Sequence, residues 1–114
     1  MYSKQEIILP IDCFLVNHDF YNYDPKLSFN IEDSVKYLNE DLFQCKFPLE
    51  SLIIDLGWYG ETTSSKGEFR IYIIQNENWE IPLNIIHSSS VEETRDLLNK
   101  ILQYYTSKEV HSKQ

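Results

Sequence analysis

Three histidines, two cysteines and eighteen carboxylates are the side chains of this 114-residue chain that hydrolytic or metal chemistry would draw on. His18, His87 and His111 lie far apart, with no HxxxH or HExxH pair and no CxxC, so no spacing in the chain matches a zinc site. Cys13, beside Asp12 and five residues before His18, has the residue types of a thiol nucleophile and its base. Its apolar strand context suits an inert core thiol better. The pairs Asp12/Asp19 and Asp55/Glu61 have the chemistry for acid–base work, but nothing in the sequence brings either into a pocket. Gly57, Gly60 and Gly67 do not form a phosphate-binding loop, and no Gly-x-Ser-x-Gly elbow is present. The expectation is a binding protein without catalytic residues, cofactor or metal.

What the chain offers instead is aromatic and acidic surface. Asp19-Phe-Tyr-Asn-Tyr-Asp24 alternates tyrosine with carboxylate, and Trp58-Tyr59-Gly60-Glu61 does so at the head of a hairpin. Tyrosine gives large contact area for few rotatable bonds and so anchors interfaces. Phe20 and Trp58 are expected to plug the core edge. Asp19, Tyr21, Tyr23, Asp24, Tyr59 and Glu61 are expected to be exposed and to meet a partner.

The elements that must position these residues follow from hydrophobic periodicity. Leu52–Tyr59 and Gly67–Gln75 are two apolar runs joined by a Thr/Ser/Lys/Gly connection, which predicts a central hairpin. Leu52, Ile54, Leu56 and Trp58 share one face with an apolar partner row; the other is mixed, with Asp55 and Arg70 free to pair across strands. Residues 6–16 predict an opening strand with Pro10 at an edge or bulge. Residues 17–26 read as a loop, with Asp24-Pro25 as a turn signal. From Asn30, an N-cap, the positions Ile31, Val35, Leu38, Leu42 and Cys45 draw a stripe down a helix of about fifteen residues. Residues 79–86 predict a further strand. Ser90-Val-Glu-Glu93 is a capping box opening a second helix to about Thr106, which buries Leu97, Leu98, Ile101, Leu102 and Tyr105. The fold expected is α+β: a small, largely antiparallel sheet with two helices on one face. It is expected to be one domain over residues 1–114, frayed at 1–3 and 107–114.

Composition and charge set the context. A chain with 42% hydrophobic and 14% aromatic residues has enough apolar surface to build a core without disulfides. Its longest apolar stretches are too short to span a bilayer, and the N-terminus lacks the pattern of a secretory signal, so a cytoplasmic location with two reduced thiols is expected. Net charge is −8. Residues 1–62 hold eleven acids against four lysines, a balance of −7, and residues 63–114 hold seven acids against six bases, a balance of −1. Such a field repels nucleic acid and anionic membrane and attracts a basic protein.

The pattern Ile54-Asp55-Leu56-Gly57-Trp58-Tyr59, a short polar turn, Gly67-x-Phe69 and an apolar strand, then Trp79-x-x-Pro82 and a closing helix resembles small bacterial immunity proteins of polymorphic toxin systems, including those of contact-dependent growth inhibition. The resemblance spans roughly residues 28–106. It implies a cytoplasmic, non-enzymatic inhibitor that pairs as a heterodimer with one cognate toxin domain, often a basic nuclease, and covers its active site or substrate groove. An acidic regulatory or adaptor module for another protein, or a small hydrolase using an acidic pair, would use the same residues differently.

Overall fold

Nine residues of unbroken β-forming sequence on each side of a polar turn dictate the centre of the molecule. In the computed structural model, which describes residues 2–112, β3 (Leu52–Gly60) and β4 (Gly67–Gln75) pair antiparallel in continuous register from Leu52 opposite Gln75 to Gly60 opposite Gly67. Gly67 has φ of +149°, and a Cβ there would stand 2.6 Å from the Trp58 ring and 2.9 Å from Gly60 Cα. Only glycine fits that turn into the second strand.

Around the hairpin the sheet grows by neighbours in sequence. β1 (Phe14–His18), β2 (Phe43–Phe47) and β5 (Asn84–Ser88) complete an antiparallel sheet in the order β1-β2-β3-β4-β5. Two helices accompany it, α1 (Ile31–Tyr37) and α2 (Val91–Ser112). The α+β expectation is therefore met, and the strand order is that of a simple meander.

One face of the sheet carries the core. Phe43, Cys45 and Phe47 stand opposite Leu56, Ile54 and Leu52, which stand opposite Ile71, Ile73 and Gln75; Trp58 faces Phe69. Leu38 at the end of α1 and Val91, Leu98, Leu102 and Tyr105 of α2 close over these rows, with Phe20 and Tyr23 filling one side. Each fully buried aliphatic or aromatic side chain here contributes about 1.5–3 kcal/mol of transfer free energy. Trp58 is buried, as expected, with its ring 5.0 Å from that of Phe69.

Three expected elements are corrected. The fifteen-residue helix is seven residues long: it ends at Leu38, whose φ of −114° and ψ of 113° are extended, and after an irregular segment over residues 38–42 the chain enters β2. The spacing of Leu38, Leu42 and Cys45 fitted a helix, but the alternation Phe43-x-Cys45-x-Phe47 fits a strand and buries all three completely. Ile31 and Val35, the supposed stripe, are exposed, and the buried residue of α1 is Ser34.

The opening strand is also shorter than expected. Only Phe14–His18 enters the sheet; Pro10, Ile11 and Asp12 turn, with the Cys13 amide donating to the Pro10 carbonyl. The preceding residues form a strap tied to α2. Asn99 accepts the Ile8 amide at 2.9 Å and donates to the Glu6 carbonyl, while Thr106 donates to Asp12. The strand expected over residues 79–86 begins only at Asn84; just before it, the Leu83 amide donates to the Ile73 carbonyl of β4.

At the start of the chain, Ser3 exchanges hydrogen bonds with Asn22, and the Tyr2 ring packs on Tyr23 and Tyr37. The α2 backbone continues to Ser112; the fraying expected at Met1 and at Lys113 and Gln114 falls outside the described residues. Among the described residues, no helix is long and apolar enough to cross a membrane.

Candidate functional site

The second face of the sheet is where the polar and ionisable strand residues gather. Alternation along each strand sends Gln44, Asp55, Tyr59, Glu68, Arg70, Tyr72 and His87 to that face, and the register sets their neighbours: Gln44 opposite Asp55, Asp55 opposite Tyr72, Tyr59 opposite Glu68, and Arg70 opposite His87. The Arg70 guanidinium lies 4.8 Å from the centre of the Tyr59 ring, whose own centre is 5.7 Å from that of Tyr72. These three side chains are half-buried, the exposure at which a rigid aromatic or guanidinium can anchor a partner.

Glu68 organises the basic side of the face. Its Oε2 accepts from Arg70 Nε at 2.8 Å and contacts His87 Nδ1 at 2.5 Å. These hydrogen bonds hold the Glu68 carboxyl below its usual range, with His87 the larger cause and Arg70 the second. His87 keeps Nε2 free of that contact on an exposed ring, open to hydrogen bonding at the surface. The expected Asp55–Arg70 pair does not form, because Glu68 lies on Arg70's own strand and takes its Nε, while Asp55 takes Gln44.

Asp55 forms the acidic side. The residue is 7% exposed, and its carboxylate accepts from Gln44 Nε2 at 2.8 Å. The segment carrying Glu40 and Asp41 crosses beside it: Trp58 donates its amide to the Asn39 carbonyl, and a Cβ on Gly57 would stand 2.5 Å from the Glu40 carbonyl oxygen. Gly57 is thus what lets this acidic segment lie against β3. Burial raises the Asp55 carboxyl above its usual range, the Gln44 hydrogen bond opposes that, and Asp41 and Glu40 add to it. Burial, with Asp55 nearby, also pushes the Tyr59 phenol up to about 12, so it remains a neutral donor.

The Asp55 shift has a stability consequence. A carboxyl that holds its proton more tightly when folded costs nothing below its unfolded value and destabilises increasingly as pH rises through its folded value. Asp55→Asn keeps an oxygen for Gln44 and removes the charge. We expect the variant to be more stable than the parent at pH 7, with the gap closing towards pH 4, in paired urea titrations; a gap that widens in acid would contradict this account of Asp55.

The residues expected from sequence to form one surface are divided by the fold. Asp19 is exposed and stands 3.9 Å from Lys4. Tyr21 is half-buried, with its ring 5.0 Å from that of Tyr37. Glu61 is exposed at the hairpin tip and accepts from Ser64. Tyr59 belongs to the sheet face just described. Tyr23 and Asp24 are corrected: at 1% and 6% exposure they are structural. Tyr23 packs in the core, and Asp24 Oδ2 accepts the Val91 amide at 2.9 Å, capping α2 from 67 residues away, while Oδ1 accepts the Lys26 amide.

The capping box at the start of α2 is also altered. Ser90 accepts the Glu93 amide as expected, but the Glu93 carboxylate accepts from Ser88. The alternation that puts Asp55 and Arg70 on one face in the sequence also carries Glu68 and Tyr72 there; what it leaves open is that Glu68, rather than Asp55, takes Arg70.

Among the described residues, no group of three or more His, Cys, Asp or Glu side chains is placed to hold a metal ion. No protein-family model, curated protein or solved structure matches the chain.

Proposed function

We propose that the chain is an immunity protein, which binds a basic toxin domain as a heterodimer in the bacterial cytoplasm and blocks its active site or substrate groove. One observation carries the reading. Half-buried Tyr59, Arg70 and Tyr72 sit beside a buried carboxylate, Asp55, with Glu40 and Asp41 adjoining it, in a chain whose first 62 residues carry a balance of −7. In the free protein, burial penalises the charged form of Asp55; a lysine or arginine from a partner supplies a counter-ion. The anchors then contribute contact energy, and the acidic field contributes orientation and on-rate. The resemblance of residues 28–106 to immunity proteins points the same way. A nuclease domain suits the reading because its phosphate-binding groove must be basic, and carboxylates can occupy such a groove in place of phosphates.

The association rate tests the electrostatic part. Screening shortens from about 10 Å at 0.1 M salt to about 3 Å at 1 M. The on-rate for the basic domain should therefore fall by roughly 10-fold or more across that range, since steering raises on-rates by about 10–10³-fold. Stopped-flow mixing at several salt concentrations measures it. An on-rate that does not change with salt would mean an apolar interface, with the acidity serving solubility alone.

A further inference from the structure

At one end of the sheet two connections meet and leave a cavity between them. The first follows β2: a single 3₁₀ turn, Pro48–Glu50, closed by Ser51, leads into β3. The second follows β4 and carries Asn76 and Glu77. The Asn76 amide donates to the Ser51 carbonyl at 2.9 Å, which docks the two connections on each other. The cavity has a volume of about 280 Å³. That lies at the lower end of the range for small-molecule sites, about 300–1,000 Å³, and suits a ligand the size of one amino acid.

The backbone of its walls is unusual. Ser51, Asn76 and Glu77 have φ of +52°, +55° and +58°, and they are the non-glycine residues with positive φ among the described residues. All three line this one cavity. Left-handed backbone is costly for residues other than glycine, and it gathers at ligand sites, where the surrounding structure holds it in place.

The side chains divide into an apolar floor and an ionic rim. Leu52 and Ile53 of β3, both buried, form the floor. Lys46, near the end of β2, and Glu77 line the same cavity and are exposed. They form no ion pair with each other, and no other described residue pairs with either. A cation and an anion held apart over an apolar floor complement one compact kind of molecule: a zwitterion with an aliphatic body.

We infer that this cavity binds a free α-amino acid with an aliphatic side chain. Lys46 donates to its carboxylate, Glu77 accepts from its ammonium, and the aliphatic side chain covers Ile53. Both ionic contacts are made by exposed groups and are screened by water, so the affinity is of millimolar order.

Titrating the isotope-labelled full chain with L-leucine, with backbone amide chemical shifts as the readout, tests this directly. The expected result is saturable binding with the shifts gathered at Lys46, Ser51, Ile53, Asn76 and Glu77. N-acetyl-L-leucine lacks the ammonium and L-leucinamide lacks the carboxylate, so each should bind roughly tenfold more weakly for the loss of one charge-assisted contact. Glu77→Gln should bind leucine and N-acetyl-L-leucine alike, and Lys46→Gln should bind leucine and leucinamide alike, with the melting temperature of both variants unchanged. A purely structural role for these residues would not produce that pairing of variant with ligand. Absence of saturable shifts at these amides with L-leucine would overturn the inference. So would tight binding of N-acetyl-L-leucine or L-leucinamide at the level of leucine itself, which would mean that the cavity takes the end of a peptide chain.

Discussion

Replacing Tyr23 with alanine should remove about 3–5 kcal/mol of folding stability, the range for truncating a fully buried aromatic. The ring is 1% exposed and packs edge-on at 5.2 Å against Tyr2 and, tilted, at 6.0 Å against Tyr37. Its hydroxyl accepts the Asn30 amide at 3.1 Å and lies 2.7 Å from Ser34 Oγ, so truncation also strips partners from the N-cap residue of α1 and from the one buried side chain of that helix. Tyr23→Phe keeps the packing and loses only the hydroxyl; leaving those polar groups unpaired should cost about 1–3 kcal/mol. Urea unfolding followed by circular dichroism separates the two variants. A loss below about 1 kcal/mol for the alanine variant would mean that Tyr23 is a surface residue after all.

The second large effect is on binding. Arg70→Ala and Tyr59→Ala should each weaken the complex with the basic domain by about 2 kcal/mol or more, roughly 30-fold in Kd. Each removes one half of the stacked pair at the centre of the outer sheet face. Both residues are half-buried and lie outside the main core, so urea midpoints should move little. Asp19→Ala, on an exposed side chain just past the end of β1 and separated from β3 by β2, is the control and should cost under about 1 kcal/mol. Titration calorimetry reads all three. Equal and negligible losses for Arg70→Ala and Tyr59→Ala would move the interface off this face, while a large loss for Asp19→Ala would move it to the edge formed by residues 19–21.

How far the sequence carried this picture depended on how many readings each pattern allowed. The hairpin was legible because two apolar runs of alternating pattern flank a polar turn, and α2 because a Ser/Glu cap preceded a clear apolar stripe. Residues 38–47 were ambiguous: Leu38, Leu42 and Cys45 suit a helix, and Phe43, Cys45 and Phe47 suit a strand. The sheet decided between them, because pairing β2 between β1 and β3 buries Phe43, Cys45 and Phe47 at once.

Asp24 was misread for a different reason. Its neighbours look like a surface turn, and the amide it caps belongs to Val91, a contact of 67 residues' separation that no local pattern encodes. Tyr59 was expected to meet a partner; its neighbours within the chain, Arg70 and Tyr72, emerge only when β3 and β4 are set in register. The expected Asp55–Arg70 pair failed because a nearer carboxylate, Glu68 two residues away on the same strand, reaches the guanidinium first.

The central claim, that this chain neutralises a basic toxin domain by forming a heterodimer with it, is tested most directly by co-expression with the product of the gene immediately upstream, the toxin domain that the claim requires. Growth of cells induced for the toxin domain alone, for both proteins, and for the toxin domain with the Arg70→Ala/Tyr59→Ala double variant is measured together with co-purification. The account predicts arrest in the first case, full growth with a one-to-one complex in the second, and renewed arrest with loss of the complex in the third. Arrest in the presence of the wild-type chain, with the two proteins eluting separately, would contradict it.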